Sequence, residues 1–331
     1  MNIKLAALVC GAITLLAALM IASGASPLTA LETLVKGSLG SGAAISGTLR
    51  EGTPLLFLGL AVFFALRAGL FNIGAEGQFL LGAATCTWVN LHISGFAGIG
   101  LGMLAGAIAG ALWAFPAGWI KAYRNGHEVI TTIMLNSVAG FLTSALVAGP
   151  LKDPTQDSPT TRDVAISSRL PWIYQHPPVQ FNSALIVGLA FTVALAFWFG
   201  RTVAGYELQA VGASPGAAKY AGIENRKLLL SAMCFSGAIA GIAGGIQVLA
   251  YEGRFYADIS PGYGFDALGV ALLAGSTPWG VIPASFLFGV LAKGGTSLQL
   301  EEIPKGITTV VLGLIILIAA ALRYRKVNSD A

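Results

Sequence analysis

Charge is scarce in this chain: 10% of its 331 residues are Asp, Glu, Lys or Arg, against about 25% in soluble domains. A water-soluble fold of this size would lack the polar surface it needs, so soluble and disordered classes are excluded together. Cysteine is scarce too. Cys10, Cys86 and Cys234 form an odd set without paired spacing, each inside an apolar run. That excludes a disulfide framework and a zinc site, and leaves small buried apolar side chains. The three histidines, His92, His127 and His176, are far apart, and no GxxxxGK[ST] or HExxH pattern occurs. No metal site or catalytic constellation is indicated, and the phosphate loop that would hydrolyse ATP is missing. The net charge is +4, but the basic residues are not gathered into a patch for nucleic acid.

What fills the chain instead is hydrophobic residues, 55% of the total, at a mean hydropathy of +0.76. One membrane-crossing helix takes about 20 apolar residues. The sequence therefore reads as an all-α polytopic membrane protein, a single transmembrane domain over 1–331. Its charge-free stretches place ten crossings near 5–23, 52–66, 74–90, 98–120, 128–148, 182–200, 228–250, 264–276, 279–292 and 306–322, some short or broken. The first could instead be a cleaved signal peptide, since Lys4 precedes an apolar core followed by small residues. Its length and the spans after it favour a membrane helix. The turn inside 77–120 falls at Asn90-Leu91-His92 with Ser94-Gly95, and the break inside 267–292 falls at Ser276-Thr277-Pro278.

Orientation follows from the basic residues. With the N-terminus inside, the inner connections carry eleven basic and five acidic residues, and the outer ones eight and ten. Both termini are expected in the cytoplasm. The region around Pro278 must then form two arms or a re-entrant hairpin, with non-helical backbone at membrane depth that only burial or a wet cavity can stabilise. The proline-rich segment 150–181 is expected outside as an ordered or partly ordered loop.

Two ladders of small residues, Gly102-Gly106-Gly110 and Gly237-Gly241-Gly245, have the spacing of helix packing stripes. Arg67, Asn72, Glu76 and Gln78 interrupt the apolar pattern amid Gly69, Gly74 and Gly77. Glu76 needs a partner, a proton or water. It stands either beside a translocation path or in an internal contact that holds a broken helix. Asp266, after Gly262-Tyr263-Gly264, reads as a helix N-cap. On the inner side, 201–227 predicts two short helices. One spans 206–211 and stops at Gly212. The other spans 215–221, capped by Ser214-Pro215 and ended by Gly222, with Ala217, Ala218 and Ala221 as small exposed contacts. Two capped helices suit a docking element.

These motifs resemble a known family. Gly69-Leu-Phe-Asn-Ile-Gly-Ala-Glu-Gly-Gln78 is similar to the hallmark of ABC-importer permeases of the ribose and branched-chain amino-acid superfamily. Glu128-Val-Ile-Thr-Thr-Ile-Met-Leu-Asn136 resembles the signature of its nucleoside branch. Arg201-Thr-Val-Ala-Gly-Tyr-Glu-Leu-Gln-Ala-Val-Gly212 and Ala217-Ala-Lys-Tyr-Ala-Gly-Ile223 resemble the loop that contacts the ATPase. Gly262-Tyr-Gly-Phe-Asp-Ala-Leu-Gly-Val-Ala-Leu-Leu273 and Pro278-Trp-Gly280 complete the match, which covers 48–322. Where the family often has arginine and asparagine, this chain has Gln209 and Ser214.

The resemblance implies a non-enzymatic transport subunit in the cell inner membrane, amid lipid. Its partners would be a cytoplasmic ABC ATPase that holds ATP and Mg, a second and commonly non-identical permease subunit, and an extracytoplasmic substrate-binding protein. Coupling to the ATPase would fall to Gly205, Tyr206, Glu207, Gly212, Pro215, Ala217, Ala218 and Gly222. A path or structural polar role would fall to Asn72, Glu76, Gln78, Asn136 and Asp266. Nucleosides are the expected solute. Simple sugars or another neutral polar solute are the alternative, and an ATP-independent channel or carrier ranks below both. The path itself is expected to be largely uncharged, with Asn72, Gln78 and Asn136 available to the solute.

Overall fold

The computed structural model describes residues 26–300 together with Thr14, Val310 and Gly313. The expected crossings at 5–23 and 306–322 lie outside the described residues. The rest is a helical bundle: α1 (Pro27–Leu39), α2 (Gly42–Arg67), α3 (Ala75–His92), α4 (Gly95–Arg124), α5 (Glu128–Ala148), α6 (Ser183–Arg201), α7 (Val203–Ala213), α8 (Pro215–Tyr220), α9 (Asn225–Ile246), α10 (Tyr263–Leu273) and α11 (Val281–Leu300). α9 runs on into a π-helical turn, Gln247–Glu252. Among the described residues six helices are long and apolar enough to span a membrane: α2, α4, α5, α6, α9 with its π turn, and α11 with the 3-10 turn before it. α3 falls short of that measure because Glu76, Gln78, Asn90 and His92 lower its hydropathy; of these Glu76, Gln78 and Asn90 are buried within the protein.

Two boundaries differ from the sequence reading, α2 through paired charges and α11 through a lysine that is half-buried. α2 begins ten residues earlier than the charge-free run, through Arg50 and Glu51, and α11 continues through Lys293. A charge ends a lipid-facing run but not a helix whose charges have partners, and here Arg50 pairs with Glu252 and Glu51 with Tyr263. α1 was expected to be part of an outer connection. It is a helix whose exposed face carries the Glu32–Lys36 pair, while Leu34 and Gly37 lie against Gly294 and Ser297 of α11.

The two glycine ladders turn out to be halves of one contact. A Cβ on Gly241 would strike the carbonyl of Gly106, one on Gly110 the carbonyl of Gly237, and one on Gly82 of α3 the carbonyl of Gly241. Backbones of α3, α4 and α9 thus touch directly, as small-residue stripes permit. Asn90 and His92, expected in a turn, close the last turn of α3, and Gly95 at φ +80° makes the reversal.

Segment 150–182 folds over one face of the bundle. It holds the hairpin β1 (Trp172–His176) and β2 (Val179–Asn182), paired antiparallel. Its backbone bonds to the stretch after α9 through Thr161 to Phe255 and Val164 to Gly253, and Asn182 caps α6 by accepting from Ala184 N at 3.0 Å. The 201–227 connection lies on the opposite face.

Candidate functional site

α2 ends with Gly69 at φ +77°, a conformation that favours glycine, and Leu70 N returns to Ala65 O at 3.0 Å. The chain from 68 to 74 then re-enters the bundle without helical bonds. Asn72 is fully buried. Its Nδ2 donates to Gln78 Oε1 and to Ser236 Oγ, both at 2.8 Å, and its Oδ1 accepts from Gln78 Nε2 at 3.0 Å. Ser236 Oγ in turn donates to the Ala61 carbonyl at 2.6 Å. Asn136 of α5 clamps the same segment from the other side. Its Nδ2 donates to Ile73 O at 2.8 Å and its Oδ1 accepts from Gly77 N at 2.9 Å. Every side-chain polar atom of Asn72, Gln78, Ser236 and Asn136 has a partner, as polar groups buried in an apolar bundle require. The signature segment beginning at Glu128 is tied down at its start by Lys121, 3.0 Å away.

Glu76 sits one step further on. Its Oε2 accepts from Gly264 N at 2.6 Å, at the start of α10. A Cβ on Gly264 would collide with the Glu76 backbone, so the helix start and the carboxylate can meet only with glycine there. Asp266 does not cap α10: the N-cap is Gly262, at φ 108° with no side-chain bond. Asp266 lies one turn in and faces a cavity of about 670 Å³ that reaches towards the 150–181 face. Glu51, Gln247, Glu252, Tyr256, Asp258 and Phe265 share its wall. Tyr263 OH donates to Glu51 Oε2 at 2.6 Å, and Glu252 Oε1 accepts from Arg50 at 2.8 Å and from Gln247 Nε2 at 3.2 Å. The polar groups expected to be available to a solute are placed otherwise. The cavity wall carries four carboxylates, while the polar atoms of Asn72, Gln78 and Asn136 are spent inside the protein.

On the opposite face, α7 runs through Gly212 instead of ending there. Gly212 is held close to the Arg67 carbonyl and to Gly69. Its early residues are fixed by the Thr202 cap on Gly205 N at 3.0 Å. Arg67 donates to Gln209, whose Nε2 donates to the Phe199 and Gly205 carbonyls at 3.0 Å. α8 follows the sequence reading: Ser214 Oγ accepts from Ala217 N at 3.3 Å and Gly222 has φ +84°. Of its three small residues Ala217 and Ala221 are exposed, but Ala218 is buried, turned inward by the helix period. Tyr206, Pro215 and Tyr220 stand in the open, Glu207 is half-buried and Gly205 buried.

The residues expected to be polar at depth are therefore gathered into one chain of contacts, from Gly212 and Gly69 through Asn72 and Glu76 to Gly264 and Asp266. Ser236 was missed because a serine within a glycine ladder reads as one more small residue. Glu51 and Glu252 had been assigned to exposed connections by their charge. Gln247 left a signal that could have been used: it is the one amide inside the stretch 228–251.

Comparison with known proteins agrees with this architecture. Residues 44–320 match the model of a family described as branched-chain amino acid transport system / permease component. The guanosine ABC transporter permease protein NupP of Bacillus subtilis (strain 168) is 36% identical over 310 residues, 92% of this chain and 89% of that protein. The nucleoside ABC transporter permease protein NupB of Lactococcus lactis subsp. cremoris is 34% identical, covering 92% of this chain and 86% of its own length. The glucose ABC transporter permease protein TsgB13 of Haloferax volcanii is 33% identical, covering 97% and 86%. No solved structure matches.

Proposed function

The chain belongs to the branched-chain amino acid transport system permease family, and from that premise we propose that it is the membrane-spanning subunit of an ATP-driven importer of nucleosides. The observation that carries this reading is the pair of relatives named for guanosine and nucleosides, each spanning 92% of the chain. The solute they imply is neutral and rich in hydroxyls, which suits a cavity walled by hydrogen-bond acceptors. ATP with its Mg binds a separate cytoplasmic ATPase, so this subunit is no enzyme and holds no cofactor. The complex is completed by a second, non-identical permease and by an extracytoplasmic binding protein that does most of the selecting. Neutral sugars are the second reading, favoured by the glucose permease relative and by the same acceptor chemistry.

The proposed topology has ten crossings and cytoplasmic termini, with 150–181 outside and 201–227 inside against the ATPase. It is supported by the chain of alternating faces: α2, α4 and α6 run from the 150–181 face towards 201–227, and α3, α5 and α9 return. α10 and α11 form a hairpin with its turn at 274–280, so that two arms replace a kinked helix. Uptake of radiolabelled guanosine, adenosine, uridine and ribose, compared in cells with and without this gene, tests the function. Loss of nucleoside uptake is expected. Loss of ribose uptake alone would move the assignment to sugars. In a background without native cysteines, Ser158→Cys should be labelled by an impermeant thiol reagent from outside intact cells, and labelling only from inside would overturn the topology.

A further inference from the structure

We infer that the acidic cavity is a transit site that holds the solute by its own N–H and O–H donors and turns away phosphate esters, with Gln247 as its main polar contact. This rests on the importer reading above and names where, within the permease, the solute is recognised. Three observations meet there. The cavity is about 670 Å³, within the range of about 300–1,000 Å³ typical of small-molecule sites.

Its charged lining is of one sign. Glu51, Glu252, Asp258 and Asp266 face it, and no Lys or Arg is among its described lining residues. Arg50 is held on Glu252 and lines a separate cavity, while Arg254 lines a neighbouring one that shares Glu252, Tyr256 and Asp258. A phosphate entering would meet an excess of like charge on the described wall, whereas hydroxyls and amino groups would meet acceptors.

The third observation is an orphan. Gln247 is 4% exposed. Its Nε2 is committed to Glu252, which fixes the amide orientation, and its Oε1 has no partner. A buried acceptor without a donor costs roughly 1–3 kcal/mol; Gln247 Oε1 is closed off in this structure, and a solute in the cavity that Gln247 lines supplies the donor as the amide turns into it. The glutamine opens the π-helical turn Gln247–Glu252, a local irregularity often found at functional sites. Phe265, half exposed at the cavity wall, offers a ring face to a flat base.

The test uses the purified importer complex in lipid nanodiscs without its binding protein, so that selection by that protein does not enter. Saturation-transfer NMR is recorded with guanosine and with guanosine 5′-monophosphate as probes. Guanosine should give a signal and the monophosphate none. Gln247→Leu should weaken guanosine binding about five- to tenfold. Asp266→Asn, at a carboxylate with no hydrogen-bond partner among the described residues, should weaken guanosine binding less and admit the monophosphate; it also keeps the test open if Gln247→Leu folds poorly. Equal binding of the two probes by the unaltered complex, or guanosine binding unchanged in both variants, would overturn the inference. So would an absence of guanosine binding alongside normal uptake in cells, a result that leaves the importer reading standing. Absence of nucleoside uptake in cells would instead remove that reading.

Discussion

The knot around Asn72 and the cavity beside Gln247 are both polar and both buried in an apolar bundle, yet they are built on opposite terms. In the knot, donors and acceptors are matched: Asn72, Gln78, Ser236 and Asn136 use one another and the backbone. In the cavity, acceptors outnumber donors and one of them, Gln247 Oε1, is left over. A matched set fixes shape, because each removal strands a partner. An unmatched set is cheap to alter structurally and has capacity for something that arrives. Amides serve in both places, Asn72, Gln78 and Asn136 in the knot and Gln247 at the cavity, so for them it is the partner count and not the residue type that separates scaffold from site.

That contrast predicts a ranking of mutational damage. The largest effect is expected in the knot. Asn72→Leu strands Gln78 and Ser236 together and should cost about 2–4 kcal/mol, seen as a large loss of monodisperse protein in size-exclusion chromatography. Yield equal to the unaltered protein would dissolve the distinction drawn here. Next come the variants on the opposite face. Gly222→Pro cannot adopt φ +84°, and Ala217→Asp places a charge on the exposed side of α8. Both should abolish uptake and weaken co-purification of the ATPase while insertion stays intact, with Gly222→Pro the harsher. Normal transport and association in both would remove the docking role from 201–227.

Glu76 lies between the two regimes. Glu76→Gln keeps an oxygen for Gly264 N and should retain most folded yield. Glu76→Leu leaves that N–H unpaired, costing about 1–3 kcal/mol, and should lower the apparent Tm. If the two variants behave alike, the Gly264 contact carries no weight. The smallest structural effect belongs to the cavity wall: Asp258→Asn, at an exposed residue, should leave Tm within about 1 °C, a surface-level change of a few tenths of a kcal/mol. A larger drop would place Asp258 in the scaffold.

Legibility followed locality. The Ser214-Pro215 cap and the Gly222 terminator were readable because all their atoms lie within a few residues of each other. The need for a buried partner at Glu76 was readable from the cost of burying it, but Gly264, 188 residues further on, was not. The two ladders could be seen as packing stripes, whereas their facing each other is a property of three helices at once. Charge-free runs marked the middles of the spans and failed at Arg50, Glu51 and Lys293, where pairing or partial exposure lets a helix carry charge past the expected limit. α1 escaped the same rule, since its Glu32 and Lys36 broke the apolar run. Ala218 shows the limit of counting small residues in a six-residue helix: only the packing decides which of three alanines turns inward.

The glycine seam has a mechanical consequence. Where α3, α4 and α9 meet, backbones touch at Gly82, Gly106, Gly110, Gly237 and Gly241, so the middle of the joint has little that can rotate, yield or take up slack. Elsewhere in the bundle a helix can shift by letting side chains change rotamer; across this joint any displacement must either slide whole backbones or break the contact. The three helices form a stator. The cavity takes only its π-turn wall from that body, and its remaining walls come from α2, the start of α10 and the end of α11. Widening or shutting it is work for those elements, with Gln247 as the fixed point against which they move.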